Sequence, residues 1–301
     1  MADPPVTTGI AICKNLGANI MNTHVKTVII PAGGKGTRLM PATKVTAKEL
    51  LPVYDKVAID FAIEEASGVG AERIIVVVNA SKESAIRDYL SPHGGAGIPK
   101  ATFGKPTPEI VYVNQDKALG LGHAILCCRD LTLAGPFGVI LPDDLILGEN
   151  CLAEMAVHFD QGNMVAAMQV TAEQTTQYGI FRLSGLPNRR IIPVSGMVEK
   201  PALGTAPSCI AAVGRYILDP MIFDILAHTP FGAGGELQLT DAIAIAANAL
   251  PLSAFQFSGL RYDCGQRDGL LAAAVARQAF VKGQDLRRAL PRSVSLSSAS
   301  A

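Results

Sequence analysis

Directly after an apolar run, Val25–Pro31, the chain reads Pro31-Ala32-Gly33-Gly34-Lys35-Gly36-Thr37-Arg38. Glycines so closely spaced let a backbone approach a ligand and aim its N–H groups at phosphate oxygens. Arg38 adds a guanidinium whose fork matches a phosphate. The loop is not a redox dinucleotide fingerprint, which would need glycine at Leu39, nor a Walker A loop, which would need GxxxxGK followed by Ser or Thr. The competing reading is a tight turn that is merely rich in glycine. Further on, Thr43–Pro52 carries Lys44 and Lys48 ahead of an apolar stretch. Lysine is a compact point charge suited to a triphosphate, although a solvated lysine is the commoner case.

A second apolar run, Phe137–Leu141, ends at Pro142-Asp143-Asp144, and another acid stands in Tyr262-Asp263-Cys264-Gly265. A carboxylate at the carboxyl end of a strand, beside a phosphate loop, is a place to hold Mg²⁺. Each acid alone also reads as a turn residue or helix cap. No GxSxG elbow or HExxH motif is present, and none of the five histidines forms a metal-like pair. Such a set suits a reaction whose nucleophile arrives with the substrate. A sugar phosphate, with its second pKa near ~6, is largely a dianion at neutral pH. It can attack the α-phosphorus of a nucleotide in line, with pyrophosphate leaving. The protein then supplies positive charge, Mg²⁺ and positioning.

These residues need strands to carry them. Apolar runs alternate with amphipathic segments: strands at Val25–Pro31, Arg73–Asn79, Ile110–Val113 and Phe137–Leu141, helices at Val57–Ser67, Lys82–Leu90 and Gly122–Arg129. Continuous Val/Ile strands bounded by Gly, Pro or Asp suit a parallel sheet buried on both faces, with ligands at the strands' carboxyl ends. The rhythm then turns β-rich, with strands at Met164–Val170, Gly179–Leu183, Val194–Val198 and Ala211–Leu218. Helices at Pro220–Ala227 and Leu239–Ala247, a strand at Leu252–Phe257 and a helix at Asp268–Val281 follow. The expected fold is a Rossmann-like three-layer α/β/α arrangement with a mixed, mostly parallel central sheet and a β-rich part able to close over a ligand.

Length and composition (301 residues, 49% hydrophobic, 17% charged) fit a soluble globular chain. Lys plus Arg equal Asp plus Glu at 26 each, which argues against a nucleic-acid binder. No apolar run approaches the ~20 residues of a membrane span. Residues 1–24 lack the features of a signal peptide and read as an extension, and the Ser-rich end from 291 reads as a frayed tail. Six scattered cysteines, with no CxxC pair, read as small core residues of a reduced, cytoplasmic protein.

The chain resembles the bacterial UTP–glucose-1-phosphate uridylyltransferases of the sugar-nucleotidyltransferase family. The resemblance rests on PAGGKGTRLMPATK (31–44), KELLP (48–52), GLGHAILC (120–127), LPDD (141–144), YGIF (178–181), VEKP (198–201), VGRYIL (213–218), ELQLTDAI (236–243) and YDCG (262–265), in that order. It implies one nucleotidyltransferase domain over about 25–285: a nucleotide half to about 150, a sugar half over about 151–265, and helices running to about 290. It implies that Ala32, Gly33, Gly34, Gly36 and Thr37 line the nucleotide, that Arg38 and Lys48 meet its phosphates, and that Gln115 and Gly120 read the uracil edge. Asp143 would bind Mg²⁺ with Asp263 as second ligand. Gly179, Glu199 and Gly214 would face glucose, and Lys200 would contact the phosphates between the two halves. UTP and glucose 1-phosphate would be the substrates, UDP-glucose and pyrophosphate the products, and the assembly a homodimer or homotetramer.

The chain also departs from the family pattern. Ala47 and Val57 stand where prolines are usual, and Gly235 stands where an acid is common. The Leu90–Pro108 connection is shorter than usual, and GGKGTR is nearer the thymidylyltransferase branch. Two alternatives follow: a glucose-1-phosphate thymidylyltransferase using dTTP, or a regulatory paralogue of low activity. The second would be expected to lack a charged catalytic residue, and Arg38, Lys48, Asp143, Lys200 and Asp263 are all present.

Overall fold

The computed structural model describes residues 25–91, 107–188 and 190–284. The extension over 1–24, most of the 90–108 connection and the tail from 291 lie outside the described residues. The first half contains β1 (Thr27–Pro31), the short β2 (Pro52–Val53) and β3 (Lys56–Val57), α1 (Ala58–Val69), β4 (Arg73–Val78) and α2 (Glu83–Leu90). Then come β5 (Glu109–Asn114), α3 (Leu121–Leu126), β6 (Phe137–Ile140), β7 (Asp144–Leu147) and α4 (Cys151–His158). The second half contains β8 (Asn163–Gln169), β9 (Gly179–Leu183), β10 (Ile191–Glu199), β11 (Ile210–Leu218), α5 (Met221–His228) and α6 (Leu239–Ala246). The chain closes with β12 (Leu252–Gln256), β13 (Leu260–Asp263) and α7 (Arg267–Val281).

Nine strands form one sheet in the order β5-β4-β1-β6-β11-β8-β12-β10-β9. Its first four strands are parallel, as the apolar runs predict. Beyond them the sheet is mixed: β11 runs antiparallel to both β6 and β8, and β10 antiparallel to β12 and β9, with only β12–β8 parallel. Helix α1 returns the chain from β1 to the parallel β4, whereas among the antiparallel pairs of this sheet only β9 and β10 follow each other directly.

Successive residues of β1 and β4 face opposite sides. Val28, Ile30, Ile74 and Val76 join one core with α1 and α4, while Ile29, Ile75 and Val77 join another with α5 and α6. Both faces are therefore covered, which is why these strands are apolar without alternation. On the second face Phe137 stacks on Phe223, their centroids 4.8 Å apart.

Besides the short β2–β3 hairpin, two larger features are not expected from the sequence. The segment after β6, expected as an acidic turn, continues as β7 and pairs antiparallel with β13, setting Asp144 opposite Asp263. This ribbon packs Leu145, Leu147 and Tyr262 on Ala272, Ala273 and Ala276 of α7. Helix α4 also forms, capped by Asn150 Oδ1, which accepts from the Ala153 N–H at 2.8 Å. Among the cysteines, Cys128, Cys151 and Cys264 are buried as expected, whereas Cys209, in the bend leading into β11, is exposed.

Candidate active site

Backbone geometry sets the glycine loop at the carboxyl end of β1. Ala32 N–H donates to Val77 O of the neighbouring strand (2.7 Å), and Asn79 Nδ2 donates to Gly33 O (2.7 Å). Gly36 takes φ 67°, a left-handed value that favours glycine, and Thr43 Oγ1 donates to its carbonyl at 2.6 Å. Thr37 and Arg38 then open a short 3₁₀ turn. A Cβ on Gly34 would meet Lys48 Cε at 3.1 Å, and one on Gly33 would meet Gln115 Oε1 at 3.3 Å. Positions 33 and 34 are therefore bare because the Gln115 and Lys48 side chains lie against them.

Lys48 reaches across to Asp143, and the two form an ion pair. Burial by itself would lower the Lys48 pKa, but the charges of Asp143 and Glu49 outweigh it and raise it. Burial likewise opposes ionisation of Asp143, yet the Lys48 charge and hydrogen bond, with help from Arg38, hold its carboxyl below the usual range. Glu49, next to Lys48, is buried with no hydrogen-bond partner for either carboxylate oxygen among the described residues, and its Oε1 lies 3.9 Å from Lys48 Nζ. Burial pushes it up to about 7 against the pull of Lys48.

The ribbon β7–β13 brings the second acid in. Asp263 Oδ1 accepts from Gly265 N–H (3.0 Å), and Arg38 lies 3.9 Å from Asp263 Oδ2. One point gathers the group: a Cβ on Gly265 would sit 3.0 Å from Asp263 Oδ1, 3.1 Å from Asp143 Oδ2 and 3.0 Å from Arg38 Nη2. Two hard carboxylate oxygens converging on space that only glycine leaves open suit Mg²⁺. Among the described residues no cluster of three or more His, Cys, Asp or Glu could hold a metal by itself. The remaining positions around an octahedral ion would fall to water and substrate phosphate.

Asp144, the other half of the acidic pair, is committed elsewhere. Its Oδ1 accepts from Arg261 Nε at 2.7 Å, and its Oδ2 accepts from the Gly214 N–H at 2.8 Å. Gly214 lies where β11 slips register against β8, between Ala212 and Tyr216. Such a bulge turns its N–H toward the site, and a Cβ there would meet Asp144 Oδ2 at 2.8 Å. Arg261 also donates to Tyr178 Oη (3.0 Å), which ties the acidic end to the start of β9.

From Tyr178 the site continues into the expected sugar residues. Gly179 pairs with Glu199 across β9 and β10. A side chain at Gly179 would crowd Glu199 Oε2 (3.3 Å) and Thr240 Oγ1 (3.1 Å). Thr240 Oγ1 donates to Glu199 Oε2 at 2.7 Å, and Lys200 Nζ lies 3.2 Å from Glu199 Oε1. Lys200 holds φ 41°, rare for a residue with a side chain, and its N–H donates to Tyr178 O at 3.0 Å. On the opposite flank, Gln115 Nε2 donates to Gly120 O at 3.1 Å.

All of the expected residues thus fall into two connected groups. Gln115, Gly120, the loop, Lys48, Asp143, Asp263 and Arg38 form one. Gly214, Gly179, Glu199 and Lys200 form the other, joined to the first through Asp144, Arg261 and Tyr178. Glu49, Asp144, Arg261, Thr240 and His123 are further participants that the motif reading left without roles, although each lies within or beside a quoted motif. An apolar cleft of about 410 Å³ between Leu39–Ala42 and α7 stands apart from these charges.

The profile of the nucleotidyl transferase family matches residues 27–279. The UTP–glucose-1-phosphate uridylyltransferase of Staphylococcus haemolyticus is 40% identical over 266 residues, 84% of this chain and 92% of that one. A solved UDP-glucose pyrophosphorylase complexed with UDP-glucose is similar with a TM-score of 0.77 at 36% identity, covering 86% of this chain and 100% of the other. A putative glucose-1-phosphate thymidylyltransferase from Bacillus anthracis is more distant, with a TM-score of 0.68 at 26% identity, covering 82% of this chain and 93% of that one. With that profile spanning most of its length and relatives this similar, the chain belongs to the nucleotidyl transferase family.

Proposed function

We propose that this chain transfers the uridylyl group of UTP to glucose 1-phosphate, giving UDP-glucose and pyrophosphate. The carrying observation is the continuous line of groups from Gln115 through Lys48 and Asp143 to Tyr178 and Glu199. Its amide, its lysine beside a carboxylate and its far carboxylate suit in turn a base, a phosphate chain and a sugar. Relatives named as uridylyltransferases support UTP over dTTP as the donor.

Ala32, Gly33, Gly34, Gly36 and Thr37 offer backbone to the nucleotide, with Gln115 and Gly120 at its base. A phosphate oxygen of glucose 1-phosphate attacks the α-phosphorus of UTP, and the bond to the β-phosphate oxygen breaks as pyrophosphate leaves. Lys48, Arg38 and Lys200 share the negative charge that grows on the transferring group. Glu199, oriented by Thr240, accepts from glucose hydroxyls, while Gly179 and Gly214 leave room for the ring. Asp143 and Asp263 would hold Mg²⁺, which supplies charge neutralisation on the phosphates. Lys48, which pairs with Asp143 beside the loop, would meet a substrate phosphate from the same position.

A homodimer or homotetramer in the cytoplasm completes the proposal. Among the described residues no helix is long and apolar enough to cross a membrane, and α7 exposes Leu271, Val275, Phe280 and Val281 in support of self-association. Light scattering on the purified chain reads the assembly.

The deciding assay is pyrophosphate release with Mg²⁺ and glucose 1-phosphate, offering UTP, dTTP, CTP, ATP and GTP in parallel. Preference for UTP is expected. Preference for dTTP would move the chain to the sibling activity, and no release from folded protein that binds UDP-glucose would favour the regulatory paralogue.

A further inference from the structure

The side chain of Gln115 is buried at the end of β5, where its backbone N–H donates to Val78 O at 2.7 Å. A primary amide has two donor hydrogens and one acceptor oxygen. Its Nε2 lies 3.1 Å from Gly120 O and 3.0 Å from His123 Nδ1. A backbone carbonyl only accepts, so the amide nitrogen, not the oxygen, must face it. The same nitrogen then meets His123 Nδ1, which has to be free of a proton and accept. Cys127 Sγ stands 3.7 Å from that Nδ1.

Both amide hydrogens are therefore engaged, and Oε1 is left facing the nucleotide loop, 3.3 Å from where a Cβ on Gly33 would be. Helix α3 delivers both anchors at fixed spacing. Its start is tied to a distant segment by Gly122 N–H donating to Leu237 O (2.8 Å) and Leu237 N–H donating to Leu119 O (2.7 Å). Gly120, at φ 98°, has no room for a Cβ, which would meet Leu237 O at 2.8 Å.

We propose that His123 is a positioning residue for base recognition: by accepting from Gln115 it fixes the Gln115 carbonyl oxygen toward the base, favouring a pyrimidine with an N3–H, as in UTP, over one with a bare N3, as in CTP. At the same ring position cytosine sets two lone pairs against each other and leaves Oε1 unpaired. Without His123 the amide is anchored at Gly120 alone and is free to turn.

This inference rests on the use of UTP proposed above, and the experiment separates the two. Pyrophosphate release from the unaltered protein with glucose 1-phosphate is measured with UTP and with CTP, alongside His123→Ala and His123→Asn. His123→Ala is expected to lower the ratio of kcat/KM for UTP over CTP by about tenfold, mainly through the KM for UTP, as loss of one oriented hydrogen bond does. His123→Asn, whose Oδ1 accepts from nearly the Nδ1 position, is expected to restore the ratio. A merely structural role would change both nucleotides alike. An unchanged ratio in His123→Ala, with the unaltered protein active on UTP, overturns the positioning role and leaves the activity standing. Failure of the unaltered protein to use UTP removes both. Should His123→Ala not fold, ¹⁵N imidazole spectra of the unaltered protein decide: a bare Nδ1 is expected, and a protonated Nδ1 overturns the proposal.

Discussion

Glu49 is the residue whose environment is least satisfied, and that has a measurable consequence. Its pKa stands at about 7 in the fold against 4.5 as the ordinary value, because burial outweighs the attraction of Lys48. Between those pH values the folded chain holds a proton that the unfolded chain has lost. Stability is therefore greatest near and below the lower value and falls as pH rises through 7, by up to about 3 kcal/mol. Glu49→Gln should flatten this dependence in ligand-free denaturant titrations from pH 5 to 8, and an identical slope in both proteins would refute the assignment. Lys200 poses a different question, since its φ of 41° costs folding energy that a charge at the phosphates would justify. Lys200→Ala is expected to cut turnover by about 100-fold or more while the melting midpoint stays put. Near-normal turnover would remove Lys200 from the phosphate site.

At the scale of elements, the site depends on a buried ion pair that touches no expected ligand. Arg215 of β11 is almost wholly buried and meets Glu65 of α1 at 2.7 Å, while its other nitrogen donates to Asp144 O. Helix α1 is thereby coupled to the strand end that carries the two acids. Glu65→Ala would leave the guanidinium buried without its partner and should cost about 3–5 kcal/mol. Glu65→Leu with Arg215→Met should recover much of that loss, and a double variant as unstable as the single would contradict the account. The two missing prolines separate in the same way. Ala47 has φ −62°, within the range of proline, and its N–H makes no hydrogen bond among the described residues. Val57 has φ −99°, and its N–H donates to Asp60 Oδ2 at 3.1 Å to cap α1. Ala47→Pro is expected to stabilise by about 0.5–1 kcal/mol and Val57→Pro to destabilise by more than that, read as melting midpoints. The glycine at 235 has its own reason: φ 69° there would strain an acidic side chain.

Across the whole molecule, the sheet curls at its far end. Strand β9 pairs with β10 and also touches β11 at Ala211 and Ile180, so the edge carrying Gly179 and Glu199 turns back toward the centre. A ligand with a base at one end and a sugar at the other would engage both. UDP-glucose should slow amide exchange in the 32–38 loop and in the 178–200 segment together, whereas UTP should protect the loop alone. Protection of only one region by UDP-glucose would show that the two groups do not form one site.

Much of this was legible from order and spacing. Uninterrupted Val and Ile runs imposed two-faced burial on β1 and β4, and the glycine loop sits at the carboxyl end of β1 as its place in the chain implied, because local chemistry and strand period survive tertiary context. The sequence by itself therefore determined the parallel core, the loop and the charged residues around it. Which of two adjacent acids is available came only from the family resemblance and not from local spacing, since the physical reason lies in Arg261, more than a hundred residues away, and in the Gly214 N–H. The ribbon of β7 and β13 was missed for the same reason: two four-residue segments become strands only when the fold sets them side by side. The burial of Glu49 and the orientation of the Gln115 amide were likewise decided by the tertiary structure, because desolvation and hydrogen-bond direction depend on neighbours that the chain brings together only on folding.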